Sequence, residues 1–253
     1  MRIGVDKLSL GKQAWKEIEC IAALGYSTSS VFSDWLDVML DSFLALSDNI
    51  DRYGDVRERL MRNELDGKYN DRYMGIVEKY RSDKRPAQEI MEHFAAATGH
   101  LVCETQETRE DVLGHLYMEY VSFGEHGQFF TPAHLARAVS VMAGIEDGKT
   151  VLDPTCGSGR MLIEAGRANP KVFLQGIDID ERCAKMCALN MYIFGFDAAI
   201  RWGNGLTYEY WRQWRILPGG FIFESGPVPG VENLGQLPAS EDTPKGEAQA
   251  TLF

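Results

Sequence analysis

Apolar residues recur at helical spacing through the first half of the chain and gather into short runs in the second. Trp15, Ile18, Ile21 and Ala22 fall on one face of a predicted helix. Ser29 or Ser30 is placed to cap the next, whose stripe is Phe32, Trp35, Leu36, Met39, Leu40 and Phe43. These aromatics read as core. The segments 55–60 and 71–81 are more polar and read as surface helices. Pro86 suits the first turn of a further helix, and Gly99 its end. A last helix, from about Arg109 to Phe123, carries Val112, Leu113, Leu116, Tyr117 and Tyr120. Residues from about 12 to 125 are thus expected to be helical.

The second half changes period. Gly124 to Gly127 reads as a hinge-like loop, after which Thr131 caps a helix over Ala133–Met142 with Pro132 at its first position. That helix is expected to lie against a sheet. Val151-Leu152-Asp153 then leads into Pro154-Thr155-Cys156-Gly157-Ser158-Gly159 and a helix from Arg160, a strand–tight loop–helix signal. A second strand, Val172 to Asp178, also ends in an acid. Asp180 caps the helix after it, and Gly195 stops that helix. A third strand, Ala199–Trp202, runs into Gly203-Asn204-Gly205-Leu206. Tyr208, Tyr210, Trp211 and Trp214, interleaved with Arg212 and Arg215, read first as an amphipathic helix packed on a core. Stacking of nucleic-acid bases is the second reading of that cluster. Gly219 to Glu224 reads as a fourth strand.

Chemistry follows from the strand ends. Gly157 and Gly159 let a ligand approach the backbone and permit positive φ, and the helix behind them presents free N–H groups. The loop is neither a Walker loop nor a Gly-x-Gly-x-x-Gly turn. Asp178 falls near the interval at which a Rossmann unit places its ribose-binding carboxylate. Strand ends carrying Asp153, Asp178 and Asn204 therefore recur in order, so that a nucleoside could lie across them.

Asp153-Pro154-Thr155-Cys156-Gly157-Ser158-Gly159 resembles motif I of the S-adenosylmethionine-dependent DNA adenine-N6 methyltransferases. Gly127-Gln128-Phe129-Phe130-Thr131-Pro132 is similar to the segment those enzymes place before motif I, and Asp111-Val112-Leu113-Gly114 also matches. Together, over roughly residues 85 to 210, they resemble the methylation (M) subunit of type I restriction-modification systems. The resemblance implies an α/β, class I S-adenosylmethionine-dependent methyltransferase (Rossmann-like) domain, whole or incomplete, preceded by an all-α domain that helps enclose DNA. It implies S-adenosylmethionine held by Gln128, Phe129, Phe130, Thr131, Pro132, Asp153, Thr155, Gly157, Gly159, Asp178, Ile179, Asn204 and Leu206. Asp178 would take the ribose hydroxyls, Asn204 the adenine edge, and the Phe129–Phe130 turn the methionine end. The residues alone leave that turn open to a simpler reading, a helix cap with two core phenylalanines.

Catalysis in that family rests on an Asp/Asn/Ser-Pro-Pro-aromatic tetrapeptide after the fourth strand. The adenine amine is a poor nucleophile, and the base must be flipped out to reach the methyl group. Here Ser225-Gly226-Pro227-Val228 stands at that place. Ser225 and Pro227 fit; Val228 cannot stack as a ring does. Methylation by this polypeptide unaided is therefore not expected. The departure leaves three readings: a degenerate methyltransferase, a truncated piece of a longer enzyme, or a chain completed by a second one. The competing functional class is a non-catalytic scaffold for DNA, restriction subunits or a clamp.

Charge narrows the partners. The 253-residue chain carries a net charge of −11, which is unfavourable for phosphate contact and implies either a locally concentrated basic surface or a partner subunit that supplies DNA contacts. Five cysteines in no paired spacing suit a reducing compartment, and Cys183 and Cys187 read as core. With no apolar signal core and no membrane-length run, a cytoplasmic protein is expected. The expected divisions are a helical domain over 1–125, a methyltransferase-like domain over 126–230, and a flexible acidic tail over 231–253. The tail ends in a Gln-x-x-Leu-Phe pattern. Gln249, Leu252 and Phe253 resemble a docking peptide for the bacterial sliding clamp.

Overall fold

The computed structural model describes residues 10–54, 69–81, 86–122, 130–226 and 250–252. The expectations at 55–60, Phe123, the 124–127 loop, Gln128, Phe129, Pro227, Val228, 231–249 and Phe253 lie outside them. The chain divides into two compact units, Met1–Phe129 with Gly220–Phe223, and Phe130–Gly219 with Glu224–Phe253.

The first unit is helical: α1 (Lys12–Ala22), α2 (Thr28–Tyr53), α3 (Asn70–Tyr80), α4 (Ala87–Thr108) and α5 (Val112–Leu116), followed by a π-helical segment, Tyr117–Ser122. Its core is aromatic. Trp15 stacks on Tyr120 at 4.4 Å, Phe32 meets the edge of Trp35 at 5.7 Å, and the buried Trp35 indole donates to Thr98 Oγ1 at 3.0 Å. Three details correct the sequence reading. Ser27, not Ser29 or Ser30, stands at the start of α2. Pro86 precedes α4 instead of opening its first turn. Gly99 does not end α4, because the buried face Ile90, Phe94, Ala97, Leu101 and Thr105 continues past it. A mid-helix glycine costs about 1 kcal/mol, less than the roughly 2 kcal/mol gained by burying one leucine. The last predicted helix begins at Asp111, whose carboxylate accepts from the Gly114 N–H at 2.8 Å.

The second unit carries α6 (Ala133–Met142), β1 (Thr150–Asp153), α7 (Arg160–Ala168), β2 (Phe173–Asp178), α8 (Glu181–Phe194), β3 (Ala198–Asn204), β4 (Glu209–Leu217) and β6 (Ala250–Leu252), and β5 (Phe221–Ser225) is shared between the two units. The sheet order is β5-β4-β3-β2-β1-β6. β1, β2 and β3 run parallel, β6 is parallel to β1, and β4 is antiparallel to β3. This is the expected mixed α/β architecture behind a helical region. α7 packs on β1 and β2, α8 on β2, β3 and β4, and α6 on α7. Cys183 and Cys187 are buried on α8.

Two elements differ from expectation. Tyr210 to Arg215 lie in strand β4, not in a helix. The cause is a β-bulge. Trp202 pairs with Arg212, but Gly203 pairs with Tyr210, so Trp211 is an extra residue. The bulge puts Tyr210 and Gln213 on one face, three apart, and imitates a helical period. On that face the buried Arg201 donates to Gln213 Oε1 at 2.7 Å and to Gln175 Oε1 at 3.0 Å, joining β2, β3 and β4. The second difference is in the tail: Ala250–Leu252 pairs with β1, so Leu252 sits in a strand rather than on a free tether. The clamp-docking reading is left without support.

Among the described residues, no helix is long and apolar enough to cross a membrane.

Candidate functional site

The parallel register fixes which side chains share a face. Asp153 pairs with Gly176, and Asp178 with Trp202. Side chains two apart on a strand point the same way. Asp153, Asp178, Trp202 and Asn204 therefore stand on one face, each strand end stepping further along than the last. The loops that follow converge. A Cβ at Gly205 would lie 2.5 Å from the Pro154 carbonyl oxygen, so the loop after β3 rests against the loop after β1. Alanine there has no space that a backbone shift would not have to make. Gly205→Ala is expected to destabilise the fold by about 1–3 kcal/mol, read by chemical denaturation; an unchanged midpoint would mean that the loops are not held together there.

Within the Asp153–Gly159 loop the backbone bends through positive φ at Gly157 (54°) and Gly159 (87°). Gly157 donates its N–H to Asp178 Oδ2 at 2.8 Å, and Asp180 N–H donates to Asp178 Oδ1 at 2.9 Å. The turn is thus tied to the end of β2 by the carboxylate predicted for the ribose. Burial pushes the Asp178 pKa upward, while the donated N–H groups of Asp180 and Gly157 pull it back. Asp153, 6% exposed, accepts from Thr155 N–H at 3.1 Å. Its pKa is pushed up to about 6, first by burial and further by the Asp178 charge. Asn204 Oδ1 accepts from Leu206 N–H at 2.9 Å, shaping the turn after β3. Ile179 and Leu206 are largely exposed at these ends.

The segment before α6 joins the same place. The Phe130 ring packs against Gly157, since a Cβ there would come within 2.9 Å of it. Arg160 donates to the Thr131 carbonyl at 3.0 Å. Pro132, not Thr131, occupies the capping position of α6. Thr131 thus holds α7 through its carbonyl instead of capping α6 through its hydroxyl. Sequence reasoning did not single out Arg160, Trp202 or Asn190, which donates to the Ser158 carbonyl at 2.8 Å. Arg160 was read as the first residue of a helix, but its bond to Thr131 joins segments 29 residues apart and carries no local signal.

Ser225 stands apart. It ends β5, four strand intervals from β1 in the sheet order, or about 19 Å at the usual inter-strand spacing. The strand order does not bring it to the Asp153–Gly159 loop.

The sequence profile of the N-6 DNA Methylase family matches residues 108–216. Over that segment the chain is similar to the N-6 DNA methylase family. The methylase segment spans the Asp111 cap, the glycine loop, Asp178, Asn204 and most of β4. Among curated relatives, the chain is 30% identical over 111 residues to the type I restriction enzyme MjaVIII methylase subunit of Methanocaldococcus jannaschii, covering 40% of this chain and 19% of that protein. It is 46% identical over 57 residues to a tRNA (guanine(10)-N2)-dimethyltransferase of the same organism, covering 22% of this chain and 16% of that protein. The chain therefore spans less than a fifth of the length of these two. A solved modification subunit of a putative type I restriction enzyme from Vibrio vulnificus is 17% identical, with a TM-score of 0.34 over 48% of this chain and 28% of that one.

The residues present suit an S-adenosyl nucleoside. The two glycines let the loop close on its neighbours, Gly157 under the Phe130 ring and Gly159 against Cys187 Sγ, and the Asp178 oxygens that hold Gly157 and Asp180 each retain accepting capacity for a ribose hydroxyl. Ile179 and Leu206 offer apolar surface to a purine. Asp153 is a buried carboxyl whose pKa is raised by burial and by the neighbouring Asp178 charge, so a cationic ligand beside it would favour its ionised form.

Proposed function

We propose that the methylase segment binds S-adenosylmethionine through Phe130, Thr131, Asp153, Gly157, Gly159, Asp178, Ile179, Asn204 and Leu206. The chain would serve as the cofactor-binding part of a DNA adenine-N6 methyltransferase assembly, with a partner subunit supplying DNA contacts. One observation carries the reading: the Asp178 carboxylate and the Gly157 turn are hydrogen-bonded to each other at the C-terminal ends of adjacent parallel strands. Open α/β sheets bind nucleotides at that edge. The relatives point the same way. One is named for a restriction methylase and the other for a tRNA methyltransferase, and what those names share is methyl transfer.

The group would supply an electrophilic methyl on sulfur. The chain's own residues orient it: Asp178 fixes the ribose, Asn204 the purine edge, and Asp153 the charged amino-acid end. Phe130 would screen the glycine turn from water.

Transfer by the isolated chain is a different matter. An adenine amine becomes nucleophilic when an oriented acceptor draws its protons and a ring holds the flipped base. Ser225 lies several strands from the glycine loop, and the net charge of −11 opposes duplex binding. We expect S-adenosylmethionine to give a saturable calorimetric isotherm with the isolated chain, and no methyl transfer to adenine-rich DNA. Absence of binding would overturn the cofactor site. Transfer by the chain alone would overturn the need for a partner.

A further inference from the structure

From the β4 bulge we infer that Trp211, braced by Trp202, forms a purine-binding wall beside Asp178 and is a specificity-determining residue of the cofactor site. This rests on the proposed S-adenosylmethionine site and adds to it a contact on β4.

The geometry begins with register. Trp202 on β3 is the direct partner of Asp178 on β2, so the two side chains rise from the same face one strand apart. The Trp202 indole N–H donates to the Ile179 carbonyl at 3.2 Å, which ties the ring to the residue that follows the ribose-binding acid. Trp202 is only partly buried. An ordinary antiparallel pairing would alternate Trp211 to the opposite face from Arg212. The bulge removes that alternation and turns Trp211 toward Trp202. The rings meet edge to face, with centroids 5.1 Å apart and planes at 67°. Trp211 remains 42% exposed, a large area for a tryptophan packed on another.

Exposed apolar side chains collect at the same edge. Ile179 is 65% exposed and Leu206 91%. Ile179 follows Asp178, and Leu206 follows the Asn204 turn. A ribose held at Asp178 therefore carries its base toward Ile179, Trp202 and Trp211. Aromatic faces are the sequence-tolerant way to bind a base, and the adjoining turn supplies the edge contacts.

The same tryptophans could instead stack a base of a nucleic-acid strand. Arg212 argues against that. Its guanidinium lies 5.8 Å from the Trp202 ring centre and is engaged by Glu181 at 3.3 Å and Glu224 at 3.8 Å. The cation beside the platform is therefore already neutralised, with acids around it that repel a phosphate chain. A nucleoside bearing a net positive tail suits this wall better than a polyanion.

The test compares wild type, Trp211→Ala and Trp211→Phe by calorimetry with S-adenosylmethionine and with adenosine, together with intrinsic fluorescence. Trp211→Ala is expected to weaken both ligands by about tenfold or more, and Trp211→Phe to restore most of that loss. Both ligands should perturb wild-type fluorescence, and the change should shrink in Trp211→Phe. Melting temperatures of the variants report folding independently. Wild type that binds S-adenosylmethionine, with Trp211→Ala binding equally well, overturns the wall and leaves the cofactor site standing. Wild type that binds neither ligand overturns both. Single-stranded DNA weakened by Trp211→Ala, with both nucleosides unaffected, would reassign the platform to nucleic acid and overturn the inference.

Discussion

Asp178→Ala is expected to lower S-adenosylmethionine affinity by about 100-fold or more, the largest effect of any single change at the site. Each hydrogen bond between a ribose hydroxyl and a carboxylate contributes about 1.5–3 kcal/mol, and Asp178 is positioned to accept from two. The variant also removes the acceptor for the Gly157 and Asp180 N–H groups, which reshapes the turn as well as emptying the ribose contact. Asp178→Asn separates the two roles. Its carboxamide keeps one accepting oxygen for the turn, and loses the charge and the second acceptor. Because its NH2 group faces one of those two N–H donors, we expect Asp178→Asn to melt below wild type but above Asp178→Ala, and still to bind the cofactor weakly. Calorimetry and thermal denaturation on both variants check this. Full affinity in Asp178→Asn would show that the ribose is not held there.

Asp153→Asn is expected to do the reverse to stability. The carboxyl is buried, and its folded pKa is pushed up to about 6, against about 4 in an unfolded chain. Between those values the folded state binds more protons than the unfolded one. Stability contributed by this group is therefore present at low pH and is lost as pH rises through that window. The Asp178 shift runs in the same direction. Two pKa units correspond to roughly 2–3 kcal/mol. The amide keeps an oxygen for the Thr155 N–H and carries no buried charge. Asp153→Asn should thus be more stable than wild type by about 2 kcal/mol at pH 7.5. The advantage should shrink toward zero near pH 4. Denaturant titrations at pH 4, 6 and 7.5 measure the difference. An equal or lower stability for the variant at pH 7.5 would show that the Asp153 charge is compensated in the fold. The same variant should bind S-adenosylmethionine more weakly, so stability and affinity move in opposite directions. Such opposition is expected where a fold carries a charge for its ligand rather than for itself.

Much of this arrangement was legible in the chain itself. The Asp153–Gly159 loop, the acid closing β2, the Asp180 cap and the Gly195 stop all depend on short-range backbone rules, and each appears where the residues implied. β1 to β3 and α7 to α8 follow from those signals. What could not be read depends on partners distant in sequence. Tyr210 to Arg215 look helical because a bulge at Trp211 shifts their alternation, and only the pairing with β3 reveals it. Gly99 looks like a stop, yet the face that α4 buries extends on to Leu101 and Thr105. The Gly205–Pro154 contact and the Phe130–Gly157 contact join loops whose approach no local pattern encodes. Ser225 was chosen by its place after a predicted strand, whereas its distance from the glycine loop is set by strand order.

The same contrast bears on the terminal residues. Leu252 resembled part of a free docking peptide, but Ala250–Leu252 pairs with β1. Extended chain with alternating small and apolar residues suits a sheet edge as readily as a partner's groove, and the open edge of β1 lies within the same molecule.

The central claim is that S-adenosylmethionine rests on the ends of β1, β2 and β3. Amide hydrogen exchange, compared with and without saturating S-adenosylmethionine, addresses it most directly. The account predicts slowed exchange at residues 130–131, 153–160, 178–182, 204–207 and around 211, with little change in α1 to α4. Unchanged exchange in the 153–160 and 178–182 segments at saturating ligand, or protection appearing only in the helical unit, would contradict it.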